Sequence, residues 1–221
     1  MKSKRIRVPL TKVEDGSGLY RTPFLRSAFS IRLKLCFQMI EPNLLGYTLD
    51  IGCGSGRALP PLSERFRHVL AIDIHDEMGK VNKFMSDGGI FNVDVIRASA
   101  EYIPIKDASF DSLACISTLD HVKHPRIALR EMQRILTMNG KAVIGIHSDG
   151  IVPRIMICVI AILSKILFGK KYKSFKIDLL NPHYPSDKIE ELINIVFGKS
   201  NVSSRHLTFL RPLYFVFSIT K

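Results

Sequence analysis

A glycine-rich turn between an apolar run and a helix-like segment is the feature that most constrains the fold of this 221-residue chain. Residues 47–51 (YTLDI) are short, mostly apolar and followed at once by glycines, which is typical of a buried strand. Gly52, Gly54 and Gly56 allow the backbone to turn sharply and to approach a ligand without Cβ clashes. The pattern predicts a strand, a loop and a helix, with the ligand at the carboxyl end of the strand.

The rest of the chain alternates between strand-like and helix-like segments. Apolar runs predict further strands at 68–73, 93–97, 110–117, 141–147, 201–207 and 211–220. Amphipathic spacing predicts helices at 24–40, 57–66, 76–86, 125–137 and 187–196. We therefore predict an α/β fold with a Rossmann-like, open, mostly parallel sheet of seven strands. Its last strand is antiparallel, helices cover both faces, and an apolar helical insertion follows strand five.

Charge is unevenly distributed along the chain. The net charge is +12. Residues 1–35 hold nine Lys/Arg against Glu14 and Asp15, and residues 151–176 hold six Lys/Arg and no acid. Such segments suit a solvated basic surface, an anionic membrane surface or a nucleic acid.

We expect a mobile basic arm over 1–18 and a single domain over 19–221, with an insertion at 151–180 that acts as a lid or a membrane-surface helix. A content of 46% hydrophobic residues excludes wholesale disorder. Four cysteines without a CxxC pair argue against a disulfide scaffold or a zinc knuckle. No apolar run directly follows the basic N-terminus, so we expect no signal peptide and a cytoplasmic protein, or one that is peripheral on the inner face of a membrane.

The inserted segment 151–168 contains nine unbroken apolar residues, Ile155 to Leu163. A membrane-spanning helix needs about 20, so spanning is disfavoured. One interpretation is a lid or dimer contact that covers the substrate pocket. The other is an interfacial helix whose following lysines, within 169–173, contact anionic headgroups. Both interpretations favour an apolar substrate.

Spacing in the glycine loop discriminates among nucleotide ligands. A G-x-G-x-x-G dinucleotide fingerprint that starts at Gly52 would need a third glycine at position 57, which is Arg57. The GK[ST] ending of a phosphate-binding P-loop is also absent. Asp73 ends the second predicted strand, 21 residues after Gly52, where an acid can accept hydrogen bonds from both hydroxyls of a ribose.

Four blocks of the sequence resemble class I S-adenosylmethionine (SAM)-dependent methyltransferases, and most of all the broad type 11 group. The blocks are LDIGCGSG, LAIDIHDEM, IRASAEYIPIKDASFDSLACISTLDHV and ALREMQRILTMNGKAVIGI. The resemblance is good over residues 45–147 and weak over 187–221. It implies that SAM is the methyl donor and that S-adenosylhomocysteine (SAH) is the product.

The resemblance also implies roles for individual residues. Asp50 and the loop backbone hold the methionine end of SAM, Asp73 holds the ribose, and Ser117 lies beside the sulfonium. The family often has Asp where this chain has Ser99, so the adenine contact there is weaker or made by a hydroxyl. The complete set of expected cofactor-binding residues is Asp50, Gly52, Cys53, Gly54, Gly56, Asp73, Ile74, Met78, Ser99, Ala100, Glu101 and Ser117.

A general base is needed only where the acceptor atom is a hydroxyl or an acidic carbon. Polar groups at the carboxyl ends of strands are the candidates: Asp120 and His121 after strand four, His147 after strand five, and His183 and Tyr184 in a later loop. We predict His121 as the catalytic base, oriented by Asp120 or a nearby backbone group.

Metal binding is disfavoured at the same place. Some quinone-pathway O-methyltransferases carry an E-x-x-E-H metal block there, whereas residues 117–121 of this chain read S-x-x-D-H. One acidic ligand is missing, so we predict no metal.

Together these features predict a SAM-dependent methyltransferase that acts on O, N or C of a small, hydrophobic acceptor such as a lipid or a quinone precursor. The alternatives are an RNA methyltransferase, which the basic segments favour, and a SAM-binding protein without catalysis. Nucleic acid is the less favoured partner, because the NPHY sequence at 181–184 lies after strand five, whereas the NPPY box of nucleobase amino-methyltransferases follows strand four. The oligomeric state is left open.

Overall fold

A computed structural model describes residues 23–148, 159, 184–209 and 211–221. The expected arm at 1–18 lies outside these residues, as does the expected insertion at 151–180 apart from Val159. The described helices and strands are, in chain order, α1 (Pro23–Met39), β1 (Asn43–Ile51), α2 (Leu59–Ser63), β2 (Phe66–Asp73), α3 (Met78–Asp87), β3 (Val93–Arg97), β4 (Phe110–Ile116), α4 (Pro125–Ile135), β5 (Leu136–His147), α5 (Ser186–Phe197), β6 (Val202–Phe209) and β7 (Arg211–Thr220).

The seven strands form one sheet in the order β3-β2-β1-β4-β5-β7-β6. The pairs from β3 to β5 are parallel, and β7 is antiparallel to both of its neighbours. The predicted seven-stranded, mostly parallel sheet is confirmed. The order reverses between β1 and β4, and that reversal opens a crevice at the carboxyl ends of these two strands.

Helices cover both faces of the sheet, because each strand sends alternate side chains to opposite sides. Leu113 and Cys115 of β4 pack into a cluster with α4 and α5, for example with Met132. Ala114, between them, packs into the opposite cluster with α1, α2 and α3, for example with Met85. Burial on two sides explains why these strands are continuous apolar runs in the sequence.

Element boundaries differ from the predictions by a few residues. The helix expected at 57–66 is only Leu59–Ser63, and Pro60 and Pro61 occupy its first turn, where a missing backbone N–H is tolerated. Strand β5 begins at Leu136, directly after α4, and turns at Asn139, which has a φ of 62°. Among the described residues, no helix combines the length and the apolar character that crossing a membrane requires.

Candidate active site

The glycine loop folds back over the neighbouring strand. The backbone N–H groups of Gly52 and Cys53 both donate to the carbonyl of Ile72 in β2, at 2.8 and 3.1 Å. Gly52 has a φ of +76°, and a Cβ there would lie 2.2 Å from the side chain of Thr118. The loop therefore lies directly against the segment that follows β4.

The loop has one open side. Gly54 has a φ of +51°, and a Cβ built on it meets nothing within 4 Å. Left-handed backbone of this kind favours glycine. The thiol of Cys53 is not a nucleophile at neutral pH, because burial raises its pKa above the ordinary range. What the loop offers a ligand here is its backbone.

Asp73 anchors the loop to the end of β2. Its Oδ2 accepts from the Gly54 N–H at 2.8 Å, and its Oδ1 accepts from the N–H groups of Ile74 and His75 at 2.7 and 3.3 Å. His75 Nε2 lies 2.9 Å from the Gly54 carbonyl, while its Nδ1 accepts from the Glu77 N–H at 3.0 Å. These contacts show that Asp73 holds the loop in shape, and its contact with a ribose stays a prediction.

Asp50 presents a buried carboxylate oxygen without a partner. The residue is 2% exposed, and its Oδ2 makes no hydrogen bond to any described residue. Burial, with a smaller contribution from the charge of Asp73, raises the pKa of Asp50 to about 7. A cationic or strongly donating ligand group would satisfy this oxygen, so the residues present fit a positively charged ligand.

The other predicted cofactor residues lie near the ends of β2 and β3. Ile74 is exposed, whereas Met78 and Ala100 are buried in the core. The Ser99 hydroxyl accepts from the Glu101 N–H at 3.1 Å, and Glu101 Oε1 accepts from the backbone N–H at position 124 at 3.0 Å. Both side chains shape this loop, and their contact with a cofactor stays a prediction.

Strand β4 is followed directly by a strained residue, Ser117, that β7 supports. Ser117 has a φ of 57°, which is unusual for a residue with a side chain. Its N–H donates to the Gly145 carbonyl at 2.7 Å, and its hydroxyl lies 2.9 Å from the Tyr214 hydroxyl. Tyr214 is fully buried and pairs in register with His147. The carboxyl ends of β4 and β5 are thus connected through β7.

Asp120 lies closer to His147 than to His121. Its Oδ2 lies 2.9 Å from His147 Nδ1 and 3.8 Å from His121 Nε2. The His147 backbone N–H also lies 3.4 Å from the same oxygen. His147 in turn stacks edge-on against Tyr214, with ring centroids 5.3 Å apart, and Arg32 of α1 donates to its Nε2. The structure therefore pairs Asp120 with the histidine of β5, while the predicted base His121 lies beside the pair.

Electrostatics reinforce this pairing. Burial would raise the pKa of Asp120, but the hydrogen bond from His147 and the nearby histidines hold it below its ordinary value. Burial lowers the pKa of His147, and Arg32 lowers it further against the opposing effect of Asp120. At neutral pH Asp120 is therefore ionised and His147 is neutral. With an ionised acceptor beside it, His147 carries its proton on Nδ1.

Three of these side chains, Asp120, His121 and His147, have the spacing of a metal site. Donor atoms of Asp120, His121 and His147 lie within 4.8 Å of one another. However, His147 Nδ1 is occupied by Asp120, and its Nε2 faces the Arg32 guanidinium, whose positive charge repels a cation. The geometry favours a hydrogen-bonded pair, and the expectation of no metal stays a prediction.

Three contributors were not found from the sequence. His75 lies two residues from Asp73, and this short spacing is the signal that the sequence offers for it. Tyr214 has a signal only once the β5–β7 register is known, since it lies opposite His147. Arg32 is 115 residues from His147 and has no spacing signal at all. Of the two other candidates, His183 lies outside the described residues and Tyr184 packs against the core.

Comparison with known proteins supports the resemblance noted above. Residues 49–144 match a family model described as a methyltransferase domain. YcgJ of Bacillus subtilis (strain 168), an uncharacterised methyltransferase, is 32% identical over 137 residues, which are 57% of this chain and 54% of YcgJ. A ubiquinone biosynthesis O-methyltransferase of Xylella fastidiosa (strain 9a5c) is 32% identical over 94 residues, or 42% of this chain and 38% of that protein. The chain thus spans about half or less of these curated relatives.

Solved structures show the same architecture. A SAM-dependent methyltransferase from Aquifex aeolicus superposes with a TM-score of 0.58 at 17% identity, covering 85% of this chain and 87% of that chain. At this identity the similarity establishes the fold alone. The fold is that of class I SAM-dependent methyltransferases.

Proposed function

We propose that this chain, whose residues 49–144 match a family model described as a methyltransferase domain, is a class I SAM-dependent methyltransferase that transfers a methyl group from SAM to a small, apolar acceptor. The observation that carries the proposal is the pair of carboxylates around the glycine loop. Asp50 is buried with an unpartnered oxygen, and the charge of Asp73 is near enough to raise its pKa. Two acids so close to each other favour a ligand that is cationic and rich in hydroxyl donors.

SAM fits this requirement better than the other nucleotides considered. It carries an ammonium group, a sulfonium and two ribose hydroxyls, whereas the pyrophosphate of a dinucleotide would be repelled by Asp50. In this arrangement Asp50 accepts from the ammonium, the loop backbone holds the methionine end, and Asp73 accepts from the ribose while it keeps the Gly54 N–H. When bound, SAM supplies an electrophilic methyl group, so the protein has mainly to orient an acceptor and exclude water.

An apolar acceptor is supported by two observations outside the cofactor site. The segment 151–168 is apolar and directly follows the β5 end of the crevice in sequence. One relative is named as a ubiquinone biosynthesis O-methyltransferase, and it aligns with less than half of this chain. A peripheral position on an anionic membrane, through the basic residues of 151–173, belongs to the same proposal.

Methyl transfer from labelled SAM to fractionated cell extract tests the proposal. Wild-type protein is incubated with an organic-solvent extract of small molecules and, separately, with purified RNA. We expect label in the solvent-extractable fraction and none with Asp50→Asn, because that change removes the carboxylate. Label in RNA would contradict a small acceptor and favour the RNA alternative. SAH binding without transfer to either fraction would favour a non-catalytic SAM-binding protein.

A further inference from the structure

His147 has the tautomer and the carboxylate partner that a general base needs. Its Nδ1–H donates to Oδ2 of Asp120 at 2.9 Å, so the lone pair of the neutral imidazole lies on Nε2, where it accepts a hydrogen bond from Arg32. The side chain is 15% exposed, so it is largely shielded from water, and Asp120 is buried. A buried carboxylate fixes the tautomer and stabilises the imidazolium that forms when Nε2 takes a proton.

The position of this pair is set by the fold. Asp120 follows β4 and His147 ends β5, so both lie at the carboxyl end of the sheet. Thr118, two residues before Asp120, lies against Gly52 of the cofactor loop. The Asp120–His147 pair and the glycine loop that is proposed to hold the methyl donor therefore lie at the same end of the sheet, where ligands bind.

Arg32 places a positive charge against Nε2 of His147. Its guanidinium donates to Nε2 and lies 5.6 Å from the centre of the Tyr214 ring. A cation at this point stabilises negative charge that develops on an oxygen and disfavours an ammonium group.

We propose that the acceptor atom is the oxygen of an ionisable hydroxyl group, and that His147, positioned by Asp120, is the base that removes its proton. This assignment rests on the proposed function and narrows it from O, N or C to O. It also replaces His121 with His147 as the proton acceptor, and Arg32 stabilises the developing oxyanion.

The reaction balances with these groups. His147 Nε2 takes the proton of the acceptor O–H, and an oxygen lone pair forms the new bond to the methyl carbon. The bond from that carbon to sulfur breaks, its electron pair stays on sulfur, and the products are a methyl ether and SAH. The proton on the imidazolium, which Asp120 stabilises, leaves to water when the products depart.

Transfer to matched panels of phenols and amines tests the acceptor class. Labelled SAM is offered with phenol, catechol and naphthol, or with aniline, diaminobenzene and naphthylamine. We expect label in the phenol panel. His147→Gln should lower kcat by about 10²- to 10⁴-fold, which is typical for loss of a general base. Its SAH affinity should stay within about twofold of wild type by calorimetry, which shows that the variant is folded. His68→Gln, a change to a histidine paired with Asp94 outside the site, should have wild-type kcat.

A pH profile and the histidine ring signals test the role of Asp120. Within the described part of the chain, the charged groups and aromatic hydroxyl that face His147 are Asp120, His121, Arg32 and Tyr214. Wild-type kcat should fall as the pH drops through the lowered pKa of His147. In Asp120→Asn the maximal kcat at high pH should fall, and the pH at which kcat declines should be lower, because the imidazolium loses its carboxylate partner. Asp120→Glu, which keeps a carboxylate, should recover part of the rate. In the SAH complex, nitrogen NMR should show His147 as the neutral Nδ1–H tautomer at neutral pH.

Any one of four results would overturn the assignment. Two concern the acceptor panels: label on amines instead of phenols, or no label on any phenol with protein that binds SAH. Two concern His147: a kcat of His147→Gln within threefold of wild type, or an Nε2–H tautomer in the SAH complex. Failure of wild-type protein to bind SAH is a different result. It would contradict the proposed function itself, and the calorimetry separates the two.

Discussion

Asp50 lies in an environment that is unfavourable for a carboxylate in the absence of a ligand. It is buried, one of its oxygens has no described partner, and the charge of Asp73 is close by. Burying a carboxylate without a partner costs free energy, which the group avoids by keeping its proton. A site that binds a cation can retain such a residue because the ligand supplies the missing partner.

The pH dependence of stability should reveal this cost. The folded protein keeps the Asp50 proton up to a pKa of about 7, while the unfolded chain releases it near 3.8. Rising pH therefore destabilises the ligand-free protein. Asp50 lowers the free energy of unfolding by about 3 kcal/mol between pH 5 and pH 8. Asp50→Asn should lose this contribution, as measured by urea unfolding at both pH values. Equal pH dependence in the two proteins would contradict the described environment of Asp50.

At the scale of elements, β7 connects the two strand ends that form the acceptor side of the site. Its Tyr214 reaches the Ser117 hydroxyl after β4 and packs edge-on against His147 of β5. Gly145 in β5 leaves the space for this ring, since a Cβ there would lie 2.3 Å from the Tyr214 hydroxyl and 3.0 Å from the sulfur of Cys36. Burial raises the pKa of Tyr214 well above its ordinary value, so its hydroxyl stays protonated.

Gly145→Ala tests this packing. The added methyl group collides with Tyr214 and Cys36, and we expect a loss of about 1–3 kcal/mol in the free energy of unfolding. Gly79→Ala is the matched control, because Gly79 lies in α3 and a Cβ there meets nothing within 4 Å. The control should be neutral or slightly stabilising in urea unfolding. Gly145→Ala as stable as Gly79→Ala would show that Tyr214 does not occupy this space.

At the scale of the whole molecule, the fold could be predicted because the strands are buried on both faces. Such strands are apolar runs in the sequence, and the helices between them have amphipathic spacing. The same pattern predicts that Asp50 and Asp73 lie close together, because they are at the carboxyl ends of adjacent parallel strands; their contact with a cofactor stays a prediction. What remained imprecise was the extent of helices with prolines in their first turn, such as α2.

The acceptor side could not be predicted equally well. Asp120 has a histidine beside it in sequence and another at the end of β5, and only the lateral order of β4 and β5 and the side-chain geometry select His147. Arg32 reaches the site from α1, and no local pattern reports such a contact. The expectations for 1–18 and 151–180 lie outside the described residues, apart from Val159, and stay predictions.

Calorimetric titration with SAH tests the central claim most directly, because it needs no acceptor. We expect micromolar binding to the wild-type protein and at least tenfold weaker binding, about 1.4 kcal/mol, to Asp73→Ala. His75→Ala, which removes a tether of the loop but keeps the carboxylate, should weaken binding less. Asp87→Ala, in an exposed ion pair with Lys83, should bind like wild type. No binding by folded wild-type protein, or equal weakening by Asp87→Ala and Asp73→Ala, would contradict a SAM site at the glycine loop.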